Sequence, residues 1–158
     1  MSLKPKKPSQ SRSQMTDIIL PAQTNNHGTI FGGEVMSYVD RIASITASRH
    51  CGLPVVTASF DSLDFLSPIR LGEVIILNAS VTWTGRTSME VMVTIEAESL
   101  TERRVTGVSF LTFVAVDQNG RPIPVPPIEP ETEEEKYQFE LAKERAALRK
   151  RRREKFDF

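Results

Sequence analysis

A single long helical pattern runs straight into four strand-like segments, and few folds can use that order. Residues 33–49 place Val35, Met36, Val39, Ile42, Ala43 and Ile45 at helical spacing, an apolar stripe that needs a core. Gly52 and Pro54 supply the stop. Residues 55–65, 73–83, 88–99 and 105–116 are rich in β-branched side chains. Between them lie Ser67-Pro68 with Leu71-Gly72, then Thr84-Gly85-Arg86, then Thr101-Glu102-Arg103-Arg104, each short enough to join antiparallel neighbours. A short extended segment, 15–20, ends at Pro21. The expectation is an α+β domain in which one strand and one central helix precede an antiparallel meander of four strands.

Two of these strands carry further information. In residues 88–99, Met89, Val91, Val93, Ile95 and Ala97 alternate with Glu90, Met92, Thr94, Glu96 and Glu98, so one face reads as wet or as a polar edge. Residues 105–116 are apolar on both faces, which predicts cover from the helix on one side and from another subunit on the other. An uncovered apolar sheet face is costly, so a dimer at least is expected.

Chemistry concentrates ahead of the helix, in Asn25-Asn26-His27-Gly28-Thr29-Ile30-Phe31-Gly32-Gly33. A polar loop leads there into a helix start whose first N–H groups lack intrahelical partners and carry partial positive charge, suited to polarising a carbonyl. Gly32 and Gly33 let a substrate approach that backbone closely. Asp40 falls beside the apolar stripe, where a carboxylate is expensive unless paired. Phe31, Met36 and Phe65 are equally suited to an acyl tunnel or to ordinary core. Gly85-Arg86-Thr87-Ser88 joins a cation to hydroxyls in a tight turn, fit either for a phosphate clamp or for a plain hairpin.

Bulk composition excludes several classes. Twenty basic and twenty acidic residues in 158 leave a formal net charge of zero, and the chain as a whole has no electrostatic case for nucleic acid. No run is long enough for a membrane span, and no signal-type apolar stretch follows Lys4-Pro5-Lys6-Lys7-Pro8, which together with the lone Cys51 favours a cytoplasmic setting. Only His27 and His50 are present, with no Gly-x-Ser-x-Gly elbow, so neither a Ser-His-Asp set nor a metal site is indicated. Cys51, at a helix end rather than a helix start, reads as inert.

The ordered blocks Thr24 to Gly33 with Met36 and Asp40, Asp64-Phe65-Leu66-Ser67-Pro68-Ile69 with Gly72-Glu73, Thr84-Gly85-Arg86-Thr87-Ser88-Met89, and Phe113-Val114-Ala115-Val116-Asp117 with Gly120-Arg121-Pro122 form a recognisable set. It resembles the hotdog-fold acyl-CoA thioesterases, the group of small bacterial YciA-like and cytosolic brain-type hydrolases. The resemblance implies an antiparallel sheet wrapped around the long helix, pairing of two hotdogs, and assembly of such dimers in threes. It implies hydrolysis of an acyl-CoA thioester without metal or nucleotide cofactor, coenzyme A being part of substrate and product. The family's catalytic asparagine falls on Asn25 and its aspartate on Asp40, contributed across the dimer interface. Asp40 would serve as general base or as nucleophile, Asn25 would orient water or substrate, and the Gly33 N–H would serve the oxyanion. Gly32, Phe65, Arg86, Thr87 and Ser88 are the expected substrate and CoA contacts. A different class, a non-catalytic acyl-CoA sensor, would need neither Asn25 nor Asp40, and a hotdog dehydratase would need a histidine–acid pair that the chain does not offer.

The thioesterase domain is expected over residues 15–127, after a disordered lead-in over 1–14 rich in Ser, Lys and Pro. Residues 128–158 read as a Pro-rich linker and a charged helix, acidic at its start and basic at its end in accord with the helix dipole. Tyr137, Leu141, Ala142 and Leu148 give it only a narrow apolar seam, so it would dock on the body, pair with another subunit or stay loose.

Overall fold

The structure is a computed structural model that describes residues 3–156. Strand β1 (Ser13–Ile18) leads through a turn at Pro21–Gln23 into helix α1 (Gly32–Cys51). Strands β2 (Val55–Phe65), β3 (Val74–Thr84), β4 (Ser88–Glu98) and β5 (Arg103–Ala115) follow, and helix α2 (Glu133–Glu154) closes the described chain. All strands are antiparallel in one sheet of order β1-β3-β4-β5-β2.

The expected four-strand meander holds only for β3, β4 and β5. Strand β2 pairs with β5, not with β3, so residues 66–73 form a crossover across the end of the sheet. A segment short enough for a hairpin loop is also long enough for this crossing, and local spacing cannot tell the two apart. Gly107 permits the β2–β5 approach: a Cβ there would sit 2.9 Å from the Asp64 carbonyl oxygen.

Helix α1 packs on the concave face. Val35, Tyr38, Val39, Ile42, Ala43 and Ala47 are buried against Leu77, Val91, Val93, Leu111 and Phe113, so removing one such aliphatic side chain would cost about 2–5 kcal/mol. Met36 and Ile45, placed in the core stripe by sequence, are exposed instead. The buried stripe runs through Tyr38, Thr46 and His50, whose polar atoms hide them from an apolar count. The helix ends as expected, with Gly52 at φ 69° and its N–H on the Ser48 carbonyl.

Successive residues of β4 face opposite sides. Met89 and Val91 meet the α1 core, whereas Glu90 points to the outer face, where α2 lies. The face of β4 read as wet is therefore covered at this point, and Glu90 is 0% exposed. Arg145 donates two hydrogen bonds to it at 2.9 and 3.0 Å, Arg149 one at 3.0 Å and Thr82 one at 2.6 Å. Arg152 reaches Asp61 at 3.0 Å, and the Arg145 guanidinium lies 3.9 Å over the Phe110 ring. The outer face of β5, for which a second subunit was expected, is thus covered in part by the chain's own helix. Only part of the apolar seam takes part in the docking: Tyr137 and Leu148 are exposed, whereas Ala142 is fully buried and Phe139 packs against the core. Thr132 and Glu135 form a capping box that starts the helix.

The described part of the segment read as a disordered lead-in is packed. Lys6 exchanges backbone hydrogen bonds with Pro127 and Glu129, residues 8–10 form a turn, and Pro8, Ser11 and Ser13 are buried. Composition reads such a segment as unable to bury enough surface. The partners come from the distant strap at 126–130, which composition does not show. Met1 and Ser2 of that lead-in, and Asp157 and Phe158 of the tail, lie outside the described residues.

Candidate active site

The polar motif folds into a turn, a bridge and a helix start. Gly28 takes φ 75°, a region cheap only for glycine, and closes a turn with its N–H on the Asn25 carbonyl at 3.1 Å. Asn25 is held by its own loop. Its Oδ1 accepts from the N–H of His27 at 2.8 Å and of Thr29 at 3.3 Å, while Nδ2 donates to Thr29 Oγ1 at 3.0 Å. An amide NH₂ has two hydrogens, so one Nδ2–H remains for a substrate.

This loop is tied to the body through Gln23, whose carbonyl accepts from Phe31 N–H at 3.0 Å and whose Nε2 donates to Tyr38 Oη at 2.8 Å. Tyr38 in turn donates to Asp17 at 2.6 Å. That hydrogen bond holds the Asp17 carboxyl below the usual carboxylate range, and burial together with the same bond pushes the Tyr38 phenol up.

Helix α1 begins without a side-chain cap, because Phe31 occupies the N-cap. Among the described residues the Gly32 and Gly33 N–H groups have no acceptor. Beside them opens a cavity of about 400 Å³ lined by Thr29, Ile30, Gly32, Val35, Phe65 at the end of β2 and the crossover residues Leu66, Ser67, Pro68 and Ile69. Gly32 and Phe65, both expected from sequence, meet here: a Cβ on Gly32 would lie 3.5 Å from the Phe65 ring. Gly33 has open space around it and does not line the cavity.

Asp40 is half-buried, and its Oδ1 accepts from Thr57 Oγ1 at 2.8 Å. Thr57 escaped the sequence reading, for the contact exists only because α1 crosses β2. The second Asp40 oxygen accepts nothing among the described residues. Asp40 lies eight positions beyond Gly32, about 12 Å along the helix. Each side chain is therefore fixed by its own local partners, and no hydrogen bond joins Asn25 to Asp40 within the chain.

Arg86, Thr87 and Ser88 stand elsewhere. Ser88 pairs with Val114, while Phe65 pairs with Gly107, and the seven positions between these rows on β5 span roughly 23 Å. The hairpin itself is rigid: a Cβ on Gly85 would come within 2.7 Å of Ser88 Oγ, and the Arg86 carbonyl accepts from Val125 N–H. Arg86 is exposed. One chain does not bring this hairpin to the cavity.

His50 and Cys51 are both buried away from the cavity. His50 is fully buried, donates from Nε2 to the Pro126 carbonyl at 2.7 Å, and has its pKa lowered by burial. Burial pushes the Cys51 thiol up, away from the thiolate a nucleophile needs. Among the described residues no group of His, Cys, Asp and Glu is arranged to hold a metal ion, and no helix is long and apolar enough to cross a membrane.

A five-stranded antiparallel sheet wrapped on one long helix, with a cavity at the open start of that helix, defines a hotdog protein. The Thioesterase superfamily pattern matches residues 27–103. An uncharacterized acyl-CoA thioester hydrolase of Bacillus subtilis, YkhA, is 51% identical over 91% of this chain and 85% of its own length. A hexameric acyl-CoA thioesterase solved without ligand superposes with TM-score 0.92 at 49% identity, covering 95% of this chain and 97% of that one. The Staphylococcus aureus acyl-CoA hydrolase, solved with butyryl coenzyme A and coenzyme A, superposes with TM-score 0.89 at 42% identity over 94% and 92% of the chains. The same enzyme has been solved with alanine in place of one aspartate, one threonine or one asparagine. The chain belongs to the Thioesterase superfamily.

Proposed function

We propose that the protein hydrolyses acyl-CoA thioesters to a carboxylic acid and coenzyme A at a site completed by two copies of the chain. The observation that carries this reading is the uncapped first turn of α1 at the mouth of an apolar cavity. An acyl or pantetheine chain fits the cavity, and the thioester carbonyl then meets free N–H donors that stabilise the oxygen as it becomes negative. The loop consumes the Asn25 acceptor and leaves a donor, so Asn25 acts through Nδ2–H, on the carbonyl or on the attacking water. The hydrogen bond from Thr57 orients the Asp40 carboxylate and leaves its other oxygen to take the proton of that water. Attack breaks no bond to a metal and needs no cofactor. The tetrahedral intermediate then breaks its C–S bond and expels the thiolate of coenzyme A, and the proton held by Asp40 passes to that sulfur or to solvent, which restores the base.

Two further observations support a shared site. Strand β2 is a long edge strand with Val56 and Phe65 exposed, and Met36 is exposed on the same flank of α1 as Asp40, whose side chain bonds Thr57 of β2. Antiparallel pairing of two β2 edges covers this surface, and it sets the Arg86 hairpin of one copy toward the cavity end of the other. The replaced aspartate, threonine and asparagine of the Staphylococcus aureus enzyme are also spaced along its sequence as Asp40, Thr57 and Asn25 are here. Three such pairs would give the hexamer named for the related structure.

Mixing tests the arrangement. Asn25→Ala and Asp40→Ala should each be nearly inactive in release of free thiol from acyl-CoA. Refolded together they should recover activity, since one of the two sites in a mixed dimer carries both intact residues. Verified mixed dimers that stay inactive would place both residues in one chain's site.

The empty N-cap gives a second expectation. Aspartate at an N-cap stabilises a helix by roughly 1 kcal/mol relative to a non-capping residue. Phe31→Asp should therefore not lower the melting temperature appreciably. It should cut turnover at least tenfold, because its carboxylate takes the first-turn donors and puts a like charge beside the oxyanion. Unchanged turnover in this variant would remove the helix start from the reaction.

A further inference from the structure

We infer that Arg104, through Glu73, is the positioning residue that sets the wall of the acyl cavity and thereby the enzyme's selection among acyl chains. The inference rests on the placement of the substrate proposed above. The crossover 66–73 has no regular structure, yet it supplies Phe65's neighbours Leu66, Ser67, Pro68 and Ile69 to the cavity. Something has to hold it, because a free loop of this length would leave the cavity without a fixed shape.

Arg104, at the start of β5, reaches under the crossover and binds it at several points. Its Nε donates to Ser67 Oγ at 3.1 Å and its Nη2 to the Pro68 carbonyl at 2.6 Å. Both terminal nitrogens also reach Glu73, at 2.6 and 2.9 Å, in a paired geometry that a lysine cannot copy. Glu73 is buried, and its Oε1 accepts from Arg70 N–H at 2.7 Å, which pins the far side of the same turn. One guanidinium thus fixes Ser67 and Pro68 directly and Arg70 through a carboxylate.

The clamp extends to the catalytic loop. Ile30 N–H donates to the Ile69 carbonyl at 2.8 Å and Leu71 N–H to the Gly28 carbonyl at 2.9 Å, so the crossover forms the base on which residues 28–30 lie. Release of Arg104 would loosen the cavity wall first and the turn bearing Asn25 second. Arg104 is itself not among the residues that line the cavity. Neighbouring Arg103 faces solvent and pairs with Glu96, which makes it a matched control.

The experiment compares Arg104→Ala, Arg104→Lys, Glu73→Gln and Arg103→Ala in the full assembled protein, reading KM and kcat on straight-chain acyl-CoAs from butyryl to palmitoyl. The expected result for Arg104→Ala is a loss of roughly 10- to 100-fold in kcat/KM on the preferred chain, mainly through KM, with a flattened chain-length profile. Millimolar guanidinium should restore part of that loss in Arg104→Ala and leave the wild type unchanged. Arg103→Ala should match the wild type. A folded Arg104→Ala hexamer with a wild-type KM and profile overturns the inference, as does a lower melting temperature with the profile unmoved. Should Arg104→Ala fail to assemble, Arg104→Lys and Glu73→Gln decide by the same comparison. Leu66→Trp separates this inference from the reading beneath it. If that cavity substitution leaves the chain-length profile untouched, the acyl chain does not lie in the cavity, whatever Arg104 does.

Discussion

Asp40→Asn is expected to lower kcat on acyl-CoA by about 100- to 10,000-fold while leaving assembly and melting temperature near those of the parent. The size follows from the role assigned to the carboxylate. Asparagine keeps the volume and still accepts the Thr57 hydroxyl at the position now held by Asp40 Oδ1, so the geometry of α1 against β2 is spared. It cannot take the proton of the attacking water. Thr57→Ala should fall between this variant and the parent, since it removes only the hydroxyl that orients the base. Thiol release measured under single-turnover conditions separates the chemical step from product release. An Asp40→Asn protein within a few-fold of the parent would leave the site without its base and end the assignment.

How much of this was legible in the sequence depends on how local each cause is. The limits of α1 were readable, because Gly52 and Pro54 act on their own backbone. The strands of the sheet were readable as strands, but not the pairing of β2 with β5, which depends on a crossover whose length suits a hairpin equally well. The loop of Asn25 could be read as a turn, since Gly28 and the Asn25 side chain close it by themselves. Its assignment to catalysis came from resemblance alone. Thr57 carries no sequence signal, for it matters only where one helix crosses one strand. Met36 and Ile45 misled the stripe for a related reason: apolar residues at helical spacing look the same whether they face a core or sit on the two exposed flanks that border it. Arg104 was read as part of a turn, and nothing short of the fold shows it beneath residues 67–70.

The charged tail is the clearest case of a pattern whose meaning depends on the fold, and it yields the second large effect. Its narrow seam left docking on the body, pairing with another subunit and a loose helix equally open. In the fold its arginines neutralise Glu90 and Asp61 on the covered face of the sheet. A carboxylate removed from water costs several kcal/mol unless its partners stay, and breaking such a pair from one side costs about 3–5 kcal/mol. Changing Arg145 and Arg149 together to leucine should therefore destabilise the protein by that amount, on the order of 10 °C in melting temperature for a chain of this size. Hydroxyl donation from Thr82 remains, and it does not replace two guanidinium groups. Adding Glu90→Leu to the pair should recover most of the loss, because an apolar trio of similar volume has no buried charge left to satisfy. A stability cycle over these variants, read by denaturant midpoint, isolates the coupling. If the two arginine changes cost no more than surface substitutions do, within about 0.5 kcal/mol each, α2 is not held by its charges. If the loss persists with leucine at position 90, the arginines act by packing their stems on Phe110 and Trp83 and not by neutralising the acid.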